Sequence, residues 1–317
     1  MQTALQTASP TFHLDHAWFR LPDGFPLGDC HGLAVDQRNH VFLLQQNGDP
    51  TLPAVLEFDS SGRHVGGWGG RFARGAHGLA IDRRDGAEHL YVVDYELATV
   101  VKCTLDGKEI LELPKPVHAA YPNGHGYKPT DVAIAPNGDI YVTDGYGQSL
   151  IHRYDREGRY RQTIGWKGNG PGQFDCPHGI CIDARGPEPV LLVADRANVR
   201  VQVLSLDGAH RQTITSRGLR YPCTVRVQGD QTLIPDLFGA VLVWDREYRH
   251  VATIGAHPDM RPGEWPRHVA GYPNVPREDR IAGRFISPHG IAADSTGNIY
   301  VAEWLRDGGR LTRITKA

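Results

Sequence analysis

Apolar and polar residues alternate with a period of two in short runs along most of the chain, and Asp-Gly, Asn-Gly or Ser-Gly pairs break many of the runs. That pattern predicts short antiparallel strands joined by hairpins. One phrase recurs: CHGLAVD (30–36), AHGLAID (76–82), PTDVAIAPNG (129–138), PHGICID (177–183), PCTVRVQGD (222–230) and PHGIAADSTGN (288–298). Each is followed by a second run ending in an acid or amide: VFLLQ, LYVVD, IYVTD, LLVAD, TLIPD and IYVAE. A third run follows in every copy, and a fourth closes the first five. Nowhere does a long segment show a helical period. Four strands per copy and six copies predict an all-β, six-bladed β-propeller. The last copy lacks a fourth strand, which FHLDHAWFRLP (12–22) is expected to supply, closing the ring between the chain ends. Residues 1–317 therefore read as one domain. Two connections exceed what the ring needs: 114–128, and a lid-like insertion at 256–287 whose aromatic and basic content suits a cover over one face.

Composition narrows the function classes. Hydrophobic residues make up 40% and charged residues 22% of the 317, which excludes a disordered chain. A net charge of −2 removes a whole-chain basic footprint, and the arginines are interspersed with acids, so nucleic acid is not an expected partner. No apolar run is long enough for a membrane helix, and no membrane partner is expected. The N-terminus lacks a signal-peptide pattern and the five cysteines are scattered, so a reducing, cytoplasmic location is expected. The 16 histidines direct attention to metal or acid–base chemistry.

The repeat places equivalent residues on a ring. The position opening each innermost strand is His31, His77, Thr130, His178, Cys223 or His289. His77, His178 and His289 fall on blades two, four and six, so three imidazoles converge on the axis, the ligand set of a catalytic zinc. The competing reading is structural, with each histidine a strut between blades. His31 breaks the threefold pattern and fits an orienting group, an acid–base catalyst or a strut. Cys223 fits a soft ligand or plain packing. The second-strand ends form another ring (Gln45, Asp94, Asp144, Asp195, Asp236 and Glu303), expected to cap turns. Just beyond it, Tyr146 and Arg196 leave adjacent blades toward the histidine face. A phenol beside a cation and a guanidinium suits a base, and an arginine suits a carboxylate clamp.

The stretch KPTDVAIAPNGDIYVTDGYGQSLIHRYDREGRYRQTIG (128–165), with GPGQFDCPHGICID and LLVADRANVRVQVLSLDG, resembles the peptidyl-α-hydroxyglycine α-amidating lyases, six-bladed propellers of the NHL type. The likeness is closest over 76–207 and resumes at PHGIAAD. It implies Zn2+, or another divalent transition metal, on His77, His178 and His289, a catalytic Tyr146 and a site Arg196. It also implies cleavage of a carbinolamide, from a small molecule or short peptide, into an amide and glyoxylate. The family holds a structural Ca2+ through an acid directly after its last zinc histidine. That position here is Gly290, so the calcium is not expected. The family's blade-one arginine has no counterpart around residues 25–50, where His31 stands instead. The alternatives are a metal-dependent hydrolase such as a lactonase, and a non-catalytic NHL propeller that binds protein or RNA.

Overall fold

The alternating runs form strands where the pattern predicts them, in a computed structural model that describes residues 12–84, 86–257, 268–269, 272–273, 275–306 and 308–316. Six four-stranded antiparallel sheets follow one another around an axis. Their innermost strands are Asp29–Val35, Ala76–Asp82, Asp131–Ile134, Pro177–Asp183, Arg226–Gln228 and Pro288–Ala293. The second strands end at Gln46, Asp94, Asp144, Asp195, Asp236 and Glu303. The sixth sheet is completed from the other end of the chain: Phe12–Asp15 pairs with Arg310–Lys316 in the register Phe12↔Lys316 to Asp15↔Arg313. The closure expected from the sequence is therefore present.

A strand buried on both faces needs apolar residues on both, and here those faces pack between neighbouring blades. Six apolar clusters result, one at each blade junction. Leu33, Leu43 and Phe58 meet Tyr300 and Leu311 between blades one and six, and Tyr141 and Ile151 meet Ile180 and Leu191 between blades three and four. The other four junctions repeat the arrangement. Blade five departs in one respect. Its innermost strand is only Arg226–Gln228, although the sequence predicts a longer one from residue 222. Pro235 in the adjacent strand offers its carbonyl to the Cys223 N–H (2.9 Å) but has no N–H to return, so the ladder stops short there.

The two long connections are anchored where they are described. In 114–128, Tyr121 and Tyr127 are buried, and the Tyr121 hydroxyl donates to Asp144 Oδ2 (2.6 Å). Much of the 256–287 insertion, on which the lid reading depends, lies outside the described residues. Its C-terminal part is docked: Phe285 is buried in the core between blades five and six, and the Gly283 N–H donates to His16 Nε2 (3.1 Å). Among the described residues no helix is long and apolar enough to cross a membrane.

The ring closure yields a first prediction. Deleting the chain through Asp15 exposes the Arg310–Lys316 edge and removes Phe12 and Leu14 from the last junction. A loss of about 3 kcal/mol and a fall in Tm of roughly 4–5 °C are expected in calorimetry. An unchanged Tm contradicts closure by this strand.

Candidate active site

The His-Gly pair explains itself at the blade junctions. His77 Nδ1 lies 2.6 Å from the Thr130 carbonyl and His178 Nδ1 lies 2.7 Å from the Cys223 carbonyl. His289 makes the matching hydrogen bond to the His31 backbone. Each even-numbered blade thus reaches the ring-position carbonyl of the next odd-numbered blade. Such an approach leaves no room for a Cβ on the following residue. One at Gly78 would sit 2.6 Å from the Thr130 oxygen, and one at Gly290 only 1.9 Å from the His31 oxygen. A carbonyl only accepts, so Nδ1 carries the hydrogen and Nε2 keeps a lone pair in the neutral ring. Burial lowers the His77 pKa to about 4, and takes those of His178, His289 and His31 well below the usual imidazole range. Neutral rings with free lone pairs are what a metal requires. The strut and ligand readings are therefore compatible, since each uses a different nitrogen.

The imidazoles converge. Ring centroids are 4.6 Å apart for His77–His178, 4.9 Å for His77–His289 and 5.0 Å for His178–His289. Three rings bound through nitrogen to one tetrahedral ion would lie about 5 Å apart. The Tyr146 hydroxyl stands between two of them, 3.1 Å from His77 Nε2 and 2.9 Å from His178 Nε2. It has one hydrogen for two lone pairs, an arrangement that favours a cation. The donor sets that fall within 4.8 Å of one another are His31–His77–His289 and His178–Cys223–His289; His289 is in both, and the expected triad is split, with His77 in one set and His178 in the other. Below the ring a space of about 20 Å³ has room for one water-sized occupant. The Cys223 thiol is pushed up to about 12 by burial, against the pull of Arg196.

Above the ring opens a chamber of about 220 Å³ lined by His31, His289, Tyr95, Tyr146, Arg196, Tyr221 and Trp304, among others. The Arg196 guanidinium lies over the Tyr146 ring (5.3 Å) and the Tyr221 ring (4.8 Å). Among the described residues it makes no ion pair, and its buried Nε has no hydrogen-bond partner. A buried guanidinium with no carboxylate partner leaves charge and hydrogen-bonding capacity that a ligand carboxylate could match. Tyr146 is 36% exposed as a residue, but its hydroxyl is enclosed by imidazoles. Burial there raises the phenol pKa well above its ordinary value, and Arg196 opposes the rise. A neighbouring guanidinium favours the phenolate, but burial outweighs it and the phenol stays protonated.

The acids at the second-strand ends cap turns, as expected. Asp144 accepts the Lys128 and Gln148 N–H groups (2.6 Å each), which fixes the turn bearing Tyr146. Asp236 accepts from Arg220 and Tyr221, and Glu303 from Ile286. Sequence reasoning missed Tyr95 and Trp304, although each directly follows such an acid, as Arg196 does. It also missed the floor. Arg226 forms a forked pair with Asp131 (3.0 and 3.1 Å) and donates to the Ile180 carbonyl, joining blades three, four and five beneath the ring. The signal was a departure from the repeat, with Asp131 and Thr224 standing where four other copies have glycine.

The fold and site define a six-bladed propeller with an axial histidine cluster. A family model described as NHL repeat matches residues 127–154, three strands of blade three. The chain is 35% identical over 234 residues to mouse peptidyl-glycine alpha-amidating monooxygenase, covering 62% of this chain and 22% of that protein. It is 30% identical over 267 residues to Drosophila melanogaster peptidyl-alpha-hydroxyglycine alpha-amidating lyase 1, covering 74% of this chain and 44% of that one. It spans less than half the length of either. It is 25% identical to human NHL repeat-containing protein 3 over 94% of this chain and 83% of that protein. A solved streptogramin B lyase matches the fold over 96% of this chain and 98% of that one, with a TM-score of 0.62 at 13% identity. The chain is thus a six-bladed β-propeller with an NHL-repeat match in blade three and relatives named as α-amidating lyases.

Glycine-to-alanine replacement at a compatible site stabilises by a few tenths to 1 kcal/mol. Gly290→Ala should do the reverse, lowering Tm by several degrees as the new Cβ displaces the His31 carbonyl, while Gly66→Ala, with open space around it, should not. Thermal melts of both variants check this. Equal melts contradict the close-packed His-Gly junction.

Proposed function

We propose that this protein is a metal-dependent carbon–nitrogen lyase that splits an N-acyl-α-hydroxyglycine, or a related carbinolamide, into an amide and an α-oxo acid. The observation carrying this reading is the Tyr146 hydroxyl, held against two buried imidazole lone pairs and facing a chamber that contains a guanidinium with no carboxylate partner among the described residues. His77, His178 and His289 would hold a divalent transition ion, zinc by preference given three nitrogen donors. Such an ion supplies Lewis acidity and positive charge at the substrate hydroxyl and the phenol. Arg196 binds the substrate carboxylate and fixes the carbinol carbon near Tyr146. Tyr146 acts as the phenolate and takes the hydroxyl proton. Its ionisation is favoured by Arg196 and by the positive charge an ion at the histidines would add, against the burial that otherwise keeps it protonated. The O–H electron pair becomes the new C=O bond, the C–N pair leaves with the amide nitrogen, and Tyr146 returns the proton to that nitrogen. No oxidant or water is consumed. Tyr95, Tyr221 and Trp304 wall the chamber and limit water around the reacting carbon. The amidating-lyase names among the relatives support the same chemistry.

The test supplies N-acyl-α-hydroxyglycines to the zinc-loaded protein and measures glyoxylate. Release is expected, with kcat falling about 10²–10⁴-fold in Tyr146→Phe, and with KM rising about 10-fold or more in Arg196→Gln as a charge-assisted bond is lost. Lactone opening without glyoxylate release would instead support the hydrolase alternative. No turnover of either substrate by the metal-loaded protein would support a binding role.

A further inference from the structure

Of the four imidazoles around the axis, His31 is the odd one. The other three tie Nδ1 to a neighbouring carbonyl, whereas His31 uses its backbone to orient His289 and leaves its own ring untied. The residue is 4% exposed, and among the described residues neither Nδ1 nor Nε2 has a hydrogen-bond partner. Burying both polar atoms of an imidazole unmatched costs free energy that a merely packed side chain would not incur. The ring does not point away from the cluster. Its centroid lies 4.6 Å from that of His289 and 5.1 Å from that of His77. One donor atom from each of these three histidines falls within 4.8 Å of the others. Donors bound tetrahedrally to a common ion at about 2.1 Å lie about 3.4 Å apart, so closing this set takes up to about 0.7 Å per side chain. His178, grouped with His289 and Cys223, joins through the shared His289.

We infer that His31 is a fourth imidazole ligand of the axial metal, so that this chain presents a four-histidine centre rather than a three-histidine one. The inference rests on the metal-dependent reading above and deepens it. It changes the chemistry of the site: a substrate oxygen would join as a fifth ligand, and an all-imidazole set suits copper and nickel as well as zinc. It also gives the untied ring a partner. The side chain whose backbone positions His289 then completes the same coordination sphere.

The experiment measures Zn2+ affinity by competition with a chromogenic chelator. It also counts imidazoles by X-ray absorption at the zinc edge, in the full-length protein and in His31→Phe, with His31→Asn as a second variant in case the first fails to fold. Four imidazoles are expected in the wild type and three in the variants, with affinity at least about 100-fold weaker. The Co2+ visible spectrum should shift in parallel. A three-imidazole wild type, or folded variants with unchanged affinity and spectrum, overturns the inference and leaves the metal-dependent reading intact. A wild type that takes up no Zn2+ overturns both.

Discussion

Hydrogen bonds from the even-blade histidines to the odd-blade carbonyls hold this centre together. Each joins two blades, fixes one tautomer and aims one lone pair at the axis. Each depends on a glycine, because the neighbouring backbone comes too close for a Cβ at Gly78 or Gly290. A single dipeptide therefore serves the fold and the site at once. The imidazole cannot drift, because Nδ1 is committed to the scaffold before any ion or substrate arrives. This is preorganisation built from secondary structure, with rigid innermost strands on all sides.

The remaining layers follow along the axis. Beneath the ring, the Asp131–Arg226 fork closes the channel, and Asp131 also accepts the Val132 and Ile180 N–H groups and the Thr224 hydroxyl, so its charge is fully matched. A buried pair so completely hydrogen-bonded marks where the blades must register, and one left half-matched would cost several kcal/mol. Above the ring, the second-strand acids pin the turns that carry the chamber walls. Asp144 connects the two levels, since it takes hydrogen bonds from Tyr121, Lys128 and Gln148 and thereby sets where Tyr146 begins. The chamber is consequently polar at its base, aromatic on its sides and positive at Arg196.

The repeat made much of this legible. Period-two runs and their turn residues placed every blade, and counting strands in the last copy placed Phe12–Asp15. The ring register brought His77, His178 and His289 together from residues far apart in the chain. What stayed hidden depends on groups that sequence does not distinguish. Thr130 and Cys223 matter through their carbonyls, which every residue has. Asp131 and Arg226 are 95 residues apart and both depart from the repeat, so no internal comparison pairs them. Tyr95 and Trp304 were within reach, because they share the register of Arg196. The untied ring of His31 was visible only once the partners of its three counterparts were known.

The central claim is that the axial imidazoles bind a metal ion, and the metal content of the purified protein tests it most directly. Mass spectrometry of the wild type should find about one divalent transition ion per chain, as three neutral imidazoles with free lone pairs require. A folded variant with alanine at His77, His178 and His289 should have lost it. A fully folded wild type that contains no metal and takes up none when zinc is added would contradict the account, and the histidines would then serve only as struts between blades.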